Sequence, residues 1–160
     1  MIAKDDFQTI DNLRLQSVID DFKRIEPQQC TADQGNLVML ELLKAYDTTQ
    51  DLDFLEAAKQ MFFWLETVQY IEEEVLTLNL LQIIRRERVL HHTEKQKLFS
   101  IVSKSKALRS RIGALILLDE TAEATKLFDN LPKEERDTFI SFPIYSFYKK
   151  TIEKTQNGQT

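Results

Sequence analysis

Glycine is scarce in this chain: only Gly35, Gly113 and Gly158 occur among 160 residues, with Pro27, Pro132 and Pro143 as the only prolines. Loops that cradle phosphates and tight two-residue hairpins both need glycine where the backbone turns left-handed or approaches a ligand. Dinucleotide-binding and nucleoside-triphosphate loops are therefore excluded. The single cysteine, Cys30, cannot form an internal disulfide, and it sits in a polar stretch with no histidine within sixty residues. A nucleophilic role would need a base beside it. No apolar run approaches the roughly 20 residues of a membrane-spanning helix, so no membrane partner is expected. The start, Met1-Ile2-Ala3-Lys4-Asp5-Asp6, has neither the cationic flank nor the apolar core of a signal peptide. The expectation is a soluble, cytoplasmic protein.

What is present is ordinary for a globular domain: 42% hydrophobic and 29% charged residues. The charge is divided unevenly. Residues 1–79 carry 16 acidic and 6 basic side chains, whereas residues 80–160 carry 10 acidic and 15 basic. The basic excess is concentrated between Arg85 and Arg111, where nine Lys and Arg face only Glu87 and Glu94. Such polarity suits an anionic partner for the second half, two halves that attract each other, or simply a solvated surface.

Apolar residues recur at helical spacing almost throughout, and nothing alternates with the period of two of a half-buried strand. The chain reads as all-α, a right-handed array or a bundle of antiparallel hairpins with eight or nine helices. The first helix is expected over 5–25, ended by Pro27. A second begins after Thr31 or Asp33 and carries Leu37, Leu40, Leu43 and Tyr46. A third, over 52–68, contains Met61-Phe62-Phe63-Trp64-Leu65, apolar enough to be covered on more than one side. A long helix over 70–90 opens with Glu72-Glu73-Glu74 and closes with Arg85, Arg86 and Arg88, charges matched to its dipole. Thr93 with Gln96 has the spacing of a capping box for the next short helix. Further helices are expected up to Leu118, over 122–131 and over 133–140. The aromatic segment 142–148 then covers the end of the core, and 151–160 reads as a flexible tail. No linker rich in Pro, Gly or Ser divides the chain, so residues 1–150 are expected to form one domain.

Connections of two to six residues make consecutive helices antiparallel neighbours. Within 111–132, Gly113, Ala124, Phe128 and Pro132 fall at the small, small, aromatic and proline positions of a helical hairpin. In that pattern the stretch resembles a tetratricopeptide-type repeat. Ala58 and Phe62 stand 66 residues before Ala124 and Phe128, twice a 33-residue period, with Leu43 and Tyr46 ahead of the turn. A middle unit, with Thr93 opening its second helix and Leu98 or Phe99 as its large residue, is degenerate. The resemblance implies a scaffold whose stacked hairpins hold a peptide or helix from a partner. Arg85, Arg86, Arg88, Lys95 and Lys97 are then the expected docking residues for an acidic peptide, or for a nucleic-acid backbone along 85–111.

The only histidines, His91 and His92, follow Arg85-Arg86-Glu87-Arg88. Arg86 and His91 resemble the Arg-x4–6-His motif of HEPN ribonucleases, which are small all-α proteins. That resemblance implies Arg86 on the scissile phosphate and His91 moving the proton of the ribose 2′-hydroxyl. The sequence departs from the motif at Glu87, a like charge to phosphate, and at Thr93, where a tyrosine often stands. Dipole matching at a helix C-terminus accounts for the same cluster without chemistry. A metal site is not expected: Glu87 and His91 share a spacing of four, but further ligands are missing. The paired carboxylates at 5–6, 20–21 and 72–74 read as solvated helix starts. The expected function is thus a non-enzymatic interaction module without cofactor, with a metal-independent endoribonuclease as the alternative and a regulatory nucleic-acid binder third.

Overall fold

The computed structural model describes residues 31–68 and 72–157, and every regular element among them is a helix. In chain order these are α1 (Ala32–Thr49), α2 (Leu52–Thr67), α3 (Glu73–Glu87), α4 (His92–Lys104), α5 (Leu108–Leu117), α6 (Thr121–Asp129), α7 (Lys133–Ile140) and α8 (Pro143–Asn157). The helix expected over 5–25, Cys30 and the end of the tail lie outside the described residues. The chain falls into two compact units, Met1–Tyr70 and Ile71–Thr160, although no Pro-, Gly- or Ser-rich linker marks the boundary.

In the first unit α1 and α2 form a tight hairpin. Thr31 caps α1: its Oγ1 accepts from the Gln34 N–H at 3.2 Å, and its own N–H donates to Gln34 Oε1 at 3.0 Å. The buried stripe of α1 is Gly35, Met39, Leu42, Leu43, Ala45 and Tyr46. Leu37, expected on that stripe, is 63% exposed. The helix is rotated so that Gly35 faces α2 instead, where a Cβ would lie 2.9 Å from Met61 Sδ and 3.0 Å from Trp64 Cζ3. A hydrogen in place of a side chain is what lets the two backbones approach. The bend is made by Gln50, left-handed at φ 59°. Its backbone N–H donates to the Tyr46 carbonyl at 2.7 Å, and its Nε2 donates to the same carbonyl at 3.2 Å. With glycine absent here, a long amide stays in a costly conformation by satisfying the last carbonyls of α1.

The second unit is organised around α5, whose residues 112–117 are all buried. Apolar side chains all round a helix require neighbours all round, and α5 packs against α3, α4, α6 and α8. In α2, by contrast, the side chain of Phe63 is half exposed while Met61, Phe62 and Leu65 are buried. The α5–α6 turn is closed by Asp119 at φ 62°, with the Glu120 N–H on the Leu115 carbonyl and the Asp119 N–H on the Ile116 carbonyl, a Schellman closure without glycine. Phe128 meets Phe139 and Tyr145, both at 5.7 Å between ring centroids. Tyr148 hydrogen-bonds Thr125, fastening α8 to α6. The segment read as an aromatic cover is the start of α8, which runs on through Asn157, with Ile152 packed against the core. The stretch from 151 was expected to be a tail because it has no repeated apolar stripe, and one isoleucine suffices to hold its first turn.

Candidate partner-binding surface

The basic stretch between Arg85 and Arg111 divides by residue type. Its arginines are engaged inside the unit. Arg85 lies 3.9 Å from the Asp119 carboxylate and 5.6 Å from the centre of the Phe147 ring. Arg86 donates to the Gln82 carbonyl at 2.9 Å and the Pro143 carbonyl at 3.0 Å, with its guanidinium 5.4 Å from the same ring. Arg109 sits 5.8 Å from the Phe142 ring, and Arg111 Nε donates to the Val102 carbonyl at 3.1 Å. A planar guanidinium can stack on a ring and serve several acceptors at once, which an ammonium cannot. These side chains bind α3, α5 and α8 together.

Arg88, Glu94 and His91 form a knot at the α3–α4 bend. The Arg88 guanidinium meets both carboxylate oxygens of Glu94, at 2.8 and 2.9 Å. The backbone N–H of His91 donates to Glu94 Oε1 at 2.7 Å. His91 is therefore the N-cap of α4, two residues before the expected Thr93, and α3 ends at Glu87. The Arg88 hydrogen bonds, aided by the His91 N–H, hold the Glu94 carboxyl down to about 2, against the opposing effect of its partial burial. The Arg88 guanidinium is raised in return, chiefly by its hydrogen bonds to Glu94.

Arg86 and His91 thus stand on different elements, with the Arg86 guanidinium held by two backbone carbonyls and His91 exposed at a cap. Those two carbonyls and the Phe147 ring fix the Arg86 side chain against α8. Among the described residues no group of His, Cys, Asp or Glu is placed to hold a metal ion, and no helix is long and apolar enough to cross a membrane.

The lysines face outward. Lys95, Lys97, Lys104 and Lys106 are all exposed, and none is in an ion pair among the described residues. Only Leu98 and Ile101 of α4 are fully buried, so most of this helix is presented to solvent. Of the two large neighbours on α4, Leu98 is buried at 0% exposure, while Phe99 is 54% exposed. On the face of α4 turned toward α3, a cleft of about 420 Å³ opens between the first turns of α3 and the last turns of α4. Glu73, Glu74 and Thr77 form one wall, and Lys97, Ser100, Ile101, Lys104 and Ser105 the other. Nothing in the sequence pattern marked Phe99 as exposed or Glu73 and Glu74 as lining a cleft. The available signal was the 97-100-104 spacing, which places two lysines and a serine on one helical stripe. Comparison of the chain with protein-family models, with curated proteins and with solved structures finds no match.

Proposed function

We propose that the chain is a non-enzymatic interaction module, built of stacked hairpins of tetratricopeptide type, that holds an acidic peptide or helix of a partner protein against the outer side of α4. The carrying observation is the split of the basic stretch: the arginines are spent on carbonyls, rings and carboxylates, while Lys95 and Lys97 have no ion pair among the described residues, and Lys95 stands four positions before an exposed Phe99 on the same helix face. An exposed aromatic with a free cation one turn away suits a partner that brings one apolar anchor and negative charge. Stacking of α5 on both α3 and α4 supports the repeat reading, since the first helix of a new hairpin then covers both helices of the one before.

The test is affinity capture at low and high salt with wild type and a Lys95→Glu/Lys97→Glu/Phe99→Ala variant. The expected result is a protein retained by wild type and lost from the variant, with capture surviving nuclease treatment. Equal capture by both proteins overturns the reading. So does RNA cleavage by the wild type that His91→Ala abolishes, which would establish the endoribonuclease instead. Capture that disappears with nuclease and falls steeply with salt would establish nucleic-acid binding over 85–111.

A further inference from the structure

We infer that the cleft between α3 and α4 gives this surface its selectivity: within the acidic partner peptide it takes a segment in which a basic side chain stands a few positions from an acidic one. The inference rests on the interaction-module reading above. Its walls are of opposite charge: Glu73 and Glu74 stand on α3, and Lys97 and Lys104 on α4. Yet no ion pair within 4.0 Å joins them, and none of the four has another ionic partner among the described residues. Exposed charges gain little in water from closing on each other, so both walls remain available to the charges of a ligand. The hairpin is fastened at its other end by the Arg88–Glu94 pair and held from outside by Arg86 on the Pro143 carbonyl.

The dimensions define the ligand further. Lys97 and Lys104 are separated by seven residues, about 10 Å along the helix at 1.5 Å per residue, with the Ser100 hydroxyl between them and Ile101 at the apolar floor. The volume lies within the range of specific ligand sites, roughly 300–1,000 Å³. A purely acidic segment would meet the two lysines but be repelled by the two glutamates. A purely basic one would meet the reverse. A segment with an acidic side chain a few positions from a basic one satisfies both walls, and the penalty on single-sign peptides supplies the selectivity.

The test is selection of displayed random peptides on the intact protein, followed by fluorescence-anisotropy titration of the enriched sequences. Wild type is expected to enrich peptides that carry both an acidic and a basic residue. Lys97→Glu/Lys104→Glu and Glu73→Lys/Glu74→Lys should each weaken these peptides by about tenfold or more. The combination of all four changes, which exchanges the walls, should recover binding, as a merely structural defect would not. If the enriched peptides bind both double variants as tightly as wild type but are weakened by Phe99→Ala, the cleft inference fails while the interaction module stands. If no peptide is enriched, both fail.

Discussion

The α1–α2 and α3–α4 hairpins are built from similar lengths of helix and closed by different means. In the first, Gly35 lets α1 rest directly on Met61 and Trp64, and the contact is apolar along its length. In the second, charged and hydroxyl-bearing residues occupy the facing stripes at the open end, and polar anchors set the geometry: Arg88 on Glu94 at the bend and Arg86 on α8. Close approach needs a small residue and produces a sealed interface. Where long charged side chains replace it, a hairpin can remain ajar, provided something else holds its helices.

That difference can be broken most strongly at Gly35. Gly35→Val should destabilise the first unit by about 2 kcal/mol, since the added branches have no room against the Trp64 ring. Urea denaturation followed by fluorescence of Trp64, the only tryptophan, measures it directly. Gly113 is the informative contrast: a Cβ there meets only Ile144 Cγ1 at 3.9 Å. Gly113→Ala should therefore gain about 0.5–1 kcal/mol from helix propensity. A gain at both glycines would remove the claim that α1–α2 is the tighter contact.

The next effect tests the anchors of the open hairpin. Arg86→Met should cost about 1–2 kcal/mol, because the Gln82 and Pro143 carbonyls lose a charged donor in a partly buried setting. Lys97→Met, on the cleft wall, should stay within about 0.5 kcal/mol. Thermal melts of the two variants by circular dichroism compare them. Equal losses would mean that the arginines and lysines are not divided as described.

The smallest effect is on pH. The Glu94 carboxyl is held near 2 when folded and titrates near 4.3 when the chain is unfolded. Its contribution is therefore complete above the unfolded value and is lost as pH falls from there toward 2. Glu94 remains 15% exposed, and solvent screening limits the Glu94→Gln loss to about 1 kcal/mol at neutral pH. The variant and wild type should converge in stability as pH falls through this window. A difference that stays constant between neutral pH and pH 3 would show that the Arg88–Glu94 pair does not fasten the bend.

Much of the architecture could be read from periodicity and punctuation. Pro132 and the residues after it mark α7 at 133–140, and Leu52 opens α2 where the polar segment ends, because these signals lie within a single turn of the chain. The cap of α4 was less legible, since Thr93 with Gln96 and His91 with Glu94 offer the same three-residue spacing. Arg88 decides between them by holding Glu94 with two hydrogen bonds. The role of Arg86 could not be read at all. One of its acceptors is a backbone carbonyl 57 residues away, and a carbonyl has no sequence signature. Lys95 and Lys97 were expected on the surface and are there, whereas the glutamates opposite Lys97 looked like an ordinary helix start.

Gln50 and Asp119 place side chains in left-handed backbone, at a cost of order 1–2 kcal/mol each. Selection for heat resistance should therefore find these two positions early, with glycine as the replacement. At Asp119 the same change would release Arg85 from its carboxylate. The two bends thus offer unequal room for adaptation: glycine at Gln50 gives up only side-chain bonds to carbonyls of its own helix, whereas at Asp119 it also loosens a neighbouring one.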